Sequence, residues 1–154
     1  MALAADKKTP EPGPVLSLDR IYVKKEFSSK SYSLKWLEPG QGYVRLEKSK
    51  ETKDAQDILQ YDSATGKKKI LVAAKALIPK DAKKPIKVGG YTFTKDLAKV
   101  LIYTNSKRVW RRNTRGNYWV LDRASGKLQK LGGKAKPSTL MFAKFSPAND
   151  NLVA

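Results

Sequence analysis

Five cations, Lys107, Arg108, Arg111, Arg112 and Arg115, fall within nine positions that hold no acid, with Trp110, Tyr118 and Trp119 among or just beyond them. A guanidinium presents several donors in a fixed plane, so an arginine here can bond a peptide carbonyl while neighbouring aromatics pack around it. The same residue types also suit single-stranded nucleic acid, through phosphate contact and base stacking, or a plain solvated surface. The peptide reading is preferred. Arg111 is then the direct contact, Trp110 and Trp119 position it, and Arg112 is its neighbour in register. The alternative is a basic β-domain that binds single-stranded nucleic acid.

Most other chemistry is excluded within these residues. With no cysteine and no histidine there is no thiolate nucleophile, no disulfide, no Ser-His or Cys-His couple and no imidazole ligand. Gly66-Lys67 and Gly133-Lys134 lack the upstream glycine of a phosphate loop. Asp54 with Asp57, and Glu47 with Glu51, are acid pairs at helical spacing. They read as surface ion-pair partners, each worth well under about 1 kcal/mol. Lys67 to Lys69 and the series Lys75, Lys80, Lys83, Lys84, Lys87 read as hydrated lysines that guard strand edges. No catalytic residue, cofactor site or metal site is assigned.

The elements that must position the cluster belong to a chain of 154 residues, 40% apolar, enough for one domain with a real core. Thirty-two Lys and Arg against 14 Asp and Glu leave a net charge of +18, which raises the question of an anionic partner without naming one. No apolar run approaches the roughly 18 residues of a membrane span. The start, Met1-Ala2-Leu3-Ala4-Ala5-Asp6, has an Ala-x-Ala step like the end of an export signal. A periplasmic or secreted location is the expectation drawn from it. Residues 1–14 hold three prolines and a glycine and read as a flexible tail, with folded structure from Val15.

Two kinds of internal repeat alternate along the chain. A closing hairpin, Tyr61-Asp62-Ser63-Ala64-Thr65-Gly66-Lys67, recurs 60 residues later as Leu121-Asp122-Arg123-Ala124-Ser125-Gly126-Lys127. An opening hairpin starts at Trp36 and aligns without gaps with stretches starting at Phe93 and Phe145. One opening and one closing hairpin make a four-stranded antiparallel unit the size of a β-propeller blade. The fold class is therefore all-β: about two blades (about 30–73 and 88–132) and the start of a third (139–154), together a partial propeller over 15–154. Only a short stretch near Asp54–Gln60 and a turn at Ala73–Ile78 show helical spacing. Since propellers close with roughly 4 to 8 blades, the chain reads as the N-terminal portion of a longer protein. A free-standing scaffold completed by a partner is the other way to cover the exposed flank.

The run Tyr91 to Ala154, with a Tyr103–Asp122 core in which Val109-Trp110-Arg111 to Tyr118-Trp119 is most specific, resembles the N-terminal propeller of bacterial dipeptidyl peptidase IV-type serine peptidases, of the prolyl oligopeptidase class. The stretch Leu140-Met141-Phe142-Ala143-Lys144-Phe145-Ser146-Pro147 is similar to the start of that family's next blade, and Leu34-Lys35-Trp36 to its first. The resemblance implies an eight-bladed propeller capping an α/β-hydrolase domain that carries a Ser, Asp, His triad. It implies as partners a peptide with a free N-terminus and that hydrolase domain, neither in this chain, and it allows a homodimeric parent. Of the family's substrate contacts it carries over one arginine, at Trp110-Arg111, which would bond a substrate carbonyl. The turns Thr94-Lys95-Asp96-Leu97 and Ser146-Pro147-Ala148-Asn149 depart from the family's Ser-Pro-Asp-Gly.

Overall fold

The computed structural model describes residues 15–29, 32–40 and 42–154. The tail expected over 1–14, and Gln41 of the first opening turn, lie outside them. The chain divides into two compact units, Met1–Tyr32 and Ser33–Ala154. In the first, the π-helical turn Asp19–Val23 buries none of its residues. Arg20 holds that segment, pairing through Nε with Glu26 at 2.7 Å and donating from Nη1 to the Val15 carbonyl at 3.0 Å.

The second unit is all-β, as the hairpin repeats predict. Its first sheet is an antiparallel meander of β1 (Leu34–Trp36), β2 (Tyr43–Lys48), β3 (Gln56–Tyr61) and β4 (Lys68–Val72). The second runs β5 (Gly90–Phe93), β6 (Lys99–Val109), β7 (Arg112–Asp122) and β8 (Leu128–Lys130), and β9 (Leu140–Met141) pairs with β7 beyond β8. Both sheets are open. The stretch with helical spacing, Asp54–Gln60, is mostly strand: its Ile58 and Leu59 are buried in the sheet, and tertiary burial overrides a weak local period. The turn at Ala73–Ile78 is a single 3-10 turn, Ala74–Leu77.

One apolar cluster serves both sheets. Val44, Ile58, Leu71 and Val72 of the first meet Tyr91, Val100, Ile102 and Leu121 of the second, with Leu77 and Val88 from the connection between them. Burial of the apolar run Val100-Leu101-Ile102 on both faces marks β6 as a strand with neighbours above and below. Asp57 departs from the surface role expected of it. It is 6% exposed and accepts the Ala74 N–H at 2.7 Å, satisfying a donor where the 3-10 turn begins. Glu47 is an ion-pair partner, of Arg45 at 3.0 Å and Lys68 at 3.2 Å, and Glu51 pairs with Lys75 at 3.2 Å.

The two closing turns share their principal hydrogen bonds. Asp62 Oδ1 accepts the Thr65 N–H at 2.6 Å and hydroxyl at 2.8 Å; Asp122 Oδ1 accepts both from Ser125 at 2.8 Å. Gly66 and Gly126 share φ +68°. The backbone N–H of Thr65, then its hydroxyl, holds the Asp62 carboxyl below the usual carboxylate range, and Ser125 does the same for Asp122. A carboxyl whose folded value is depressed contributes stability above its ordinary value, near about 4, and loses it as pH falls through the depressed one. The urea midpoint is therefore expected to hold from about pH 7 to 5 and to fall below about pH 4. In an Asp62→Asn/Asp122→Asn chain that acid limb should be shallower; an unchanged limb would refute the role of these turns.

Arg123, the second residue of the later closing turn, ties the sheets together. Its Nε donates to the Leu71 carbonyl at 3.1 Å and its Nη1 to the Leu97 carbonyl at 2.6 Å. Ser63 stands at this position in the earlier turn and cannot reach so far. Hydrogen bonds from a charged donor are worth about 1.5–3 kcal/mol, so Arg123→Ala is expected to lower stability by about 2 kcal/mol in urea unfolding. Arg123→Lys, with one donor head in place of a fork, should recover less than half of it.

Candidate functional site

The cationic cluster sits on an arm. Strands β6 and β7 have 11 residues each, whereas the other strands have 2 to 6. Their inner halves lie in the sheet, from Lys99↔Asp122 to Thr104↔Asn117; their outer halves, Lys107↔Arg115 to Val109↔Arg112, run on beyond it. Trp110 and Arg111 form the two-residue turn at the tip. Residues 107–115 thus form the end of a hairpin, in a segment with no Gly, Pro or Asp to announce a turn. Trp110 takes φ +57° at the first turn position, and Arg108 Nε steadies the turn by donating to the Trp110 carbonyl at 3.1 Å.

Shape and chemistry of the tip follow from the ladder. Trp110 is 93% exposed, and Lys107, Arg108, Arg111, Arg112 and Arg115 are all exposed. Arg112 pairs with Val109 as the first residue of β7, so its backbone is fixed, while Arg111 lies in the turn itself. Trp119 is elsewhere. It pairs with Ile102, packs against the apolar cluster, and lies seven residues from Arg112, roughly 24 Å along the strand. The structure brings Trp110, Arg111 and Arg112 together at the tip and places Trp119, half-buried, against the core, where it anchors β7.

The arm's root is held by residues that the cluster alone does not reveal. The Tyr103 ring lies over Gly116, and its hydroxyl donates to the carbonyls of Asn113 (3.0 Å) and Arg115 (2.8 Å). On one side the Gly89 N–H donates to the Tyr103 carbonyl at 2.8 Å. On the other, Ser138 donates its N–H to Asn117 Oδ1 and its hydroxyl to the Asn105 carbonyl, each at 2.7 Å, just before β9 joins Arg115 and Gly116. Register shifts at Thr104/Lys107 and Lys107/Arg108 mark the change from sheet to arm, with Asn105 at φ +47°. The only sequence signal for this was the Gly116-Asn117 pair inside a strand-like run, which marks a bulge or a close backbone approach.

Residues 94–153, the segment that contains the arm, match the description "Dipeptidyl peptidase IV (DPP IV) N-terminal region". Similar proteins include a probable dipeptidyl-aminopeptidase B of Paracoccidioides lutzii, 31% identical over 73% of this chain and 11% of its own length. Another, of Ajellomyces dermatitidis, is 25% identical over 92% of this chain and 16% of its own. The chain thus spans about one-ninth to one-sixth of these relatives. The crystal structure of Porphyromonas gingivalis dipeptidyl peptidase 4 superposes on 86% of this chain and 18% of its own, with TM-score 0.62 and 18% identity. That likeness establishes the fold: the two sheets are blades of a partial β-propeller. Among the described residues no helix is long and apolar enough to cross a membrane.

Proposed function

We propose, from a chain that carries part of the N-terminal region of a dipeptidyl peptidase IV-type peptidase, that its blades shape and gate the peptide cavity of a serine-type dipeptidyl peptidase, while an α/β-hydrolase domain outside these 154 residues cuts. The observation that carries this reading is the arm, which projects Arg111 past the sheet edge, outside every ion pair of the described residues. There its guanidinium reaches a carbonyl of a peptide bound by its free N-terminus, with Trp110 and Arg112 beside it and Trp119 fixing the strand that bears it. The periplasmic or secreted location expected from the first residues belongs to the same reading.

The chain alone is expected not to turn over a Xaa-Pro chromogenic dipeptide. In the whole protein, Arg111→Ala is expected to lower kcat/KM by about 10- to 100-fold, as for loss of a hydrogen bond from a charged donor. Arg112→Ala should change it by less than about threefold, because Arg112 belongs to the ladder. Unchanged kcat/KM in Arg111→Ala would refute the contact. Nearly full exposure of Trp110 among arginines also suits single-stranded nucleic acid. A gel shift that weakens steeply with salt, and vanishes in Arg108→Ala/Arg111→Ala/Arg112→Ala, would favour that second reading.

A further inference from the structure

No residue of the arm takes part in an ion pair among the described residues, which pair Glu47 with Arg45 and Lys68, Glu51 with Lys75, Asp19 with Lys24 and Glu26 with Arg20. The acid closest to the arm along β7 is Asp122, seven residues beyond Arg115, roughly 24 Å away. Five exposed cations of one sign on a narrow hairpin set up an uncompensated positive field. The backbone there also lacks strand partners along its outer edges, although the Asn113 carbonyl accepts from the Tyr103 hydroxyl. Strand β5 pairs with β6 only as far as Tyr103, and β9 pairs with β7 only at Arg115 and Gly116. The outer edges of Lys107–Val109 and Arg112–Thr114 therefore have no strand neighbour among the described residues.

We propose that the arm is a docking surface for extended acidic peptides, whose backbone adds to its free edge while their carboxylates meet Lys107, Arg108, Arg112 and Arg115. An edge strand offers N–H and C=O groups in register for an added strand, and alternate side chains then face the cations. The exposed aromatics argue for peptide over nucleic acid. Sequence-tolerant nucleic-acid sites stack successive bases on successive rings. Here Tyr118 is buried and Trp119 packs on the core, so Trp110 is the one exposed aromatic of the arm. As a substrate preference, this rests on the peptidase reading above and narrows it to peptides carrying Asp or Glu after their first residues.

The test is fluorescence anisotropy with the 154-residue chain and labelled peptides of about ten residues, one rich in Glu and Asp and one with Gln and Asn in their place. The acidic peptide is expected to bind at least about 10-fold more tightly at about 50 mM salt, with the gap closing at about 300 mM. The gap should also close in Arg108→Gln/Arg112→Gln/Arg115→Gln, which keeps Arg111. Equal affinity for the two peptides overturns the proposal, and so does displacement of the acidic peptide by an equal concentration of oligothymidine. The Arg111→Ala effect on kcat/KM is read separately. If it is absent while the acidic preference holds, the peptidase reading fails and the docking surface stands.

Discussion

Gly42→Ala is expected to lower the unfolding free energy by about 4 kcal/mol, the largest effect of any single methyl in the first sheet. Gly42 stands just before β2 at φ +77°, and its carbonyl accepts the Leu37 N–H at 3.0 Å to close the first opening turn. A methyl there would lie 1.9 Å from the Tyr61 carbonyl oxygen and 3.0 Å from its carbon. Tyr61 is held in the ladder opposite Tyr43, so the backbone it would strike cannot step aside. Left-handed backbone costs a residue with Cβ about 1–2 kcal/mol, and overpacking about 1–3 more. Gly40→Ala separates the two terms, since Gly40 has φ +84° with open space around it. It should show the conformational part alone, about 1 kcal/mol. Urea midpoints of the two variants decide: if Gly42→Ala is no worse than Gly40→Ala, the steric argument is wrong.

Gly116→Ala is expected to destabilise by about 3 kcal/mol and to loosen the arm. Its methyl would meet Tyr103 Cε2 at 2.2 Å and the Thr104 carbonyl oxygen at 2.7 Å. A ring can swing, but this one has its hydroxyl tied to two carbonyls of the arm, so its displacement releases the root of the hairpin. The check is a double-mutant cycle with Tyr103→Ala, in which the ring contact is already gone. A coupling of about 1–2 kcal/mol is expected, with the Thr104 contact accounting for the rest. Hydrogen exchange over residues 107–115 should quicken in Gly116→Ala. Additive effects with unaltered exchange would show that Tyr103 does not brace the arm.

What was legible in the sequence had local causes. Asp62 with Gly66, and Asp122 with Gly126, announced their turns because the carboxylate needs amides two or three residues on and the glycine takes positive φ. Leu97 hid the same chemistry: it occupies the place of Gly40 at φ +60°, with Asp96 accepting from Thr94 at 2.6 Å and from Ala98 at 2.9 Å. The third opening hairpin is a residue longer than the gap-free alignment implies. Ser146 bonds Leu152, where Leu37 bonds Gly42 and Thr94 bonds Lys99.

The candidate site was legible in its residue types and not in its shape. Val109-Trp110-Arg111-Arg112 contains none of the usual turn residues, so the reversal at its tip depends on the two flanking strands finding each other. Proximity in sequence also placed Trp119 with the arginines, although it lies seven residues along the strand from Arg112. Asp57 and Arg123 act on Ala74 and on Leu71 and Leu97, partners 17, 52 and 26 residues away, beyond any spacing rule.

The two register shifts at the arm's root divide the hairpin into a part whose alternation the core enforces and a part it does not. A single-codon insertion or deletion outboard of Lys107 would turn the following side chains to the opposite side without moving Val100, Ile102 or Leu121. Single-residue length changes there would thus re-aim these arginines at nearly constant stability, with the sheet beneath left in place.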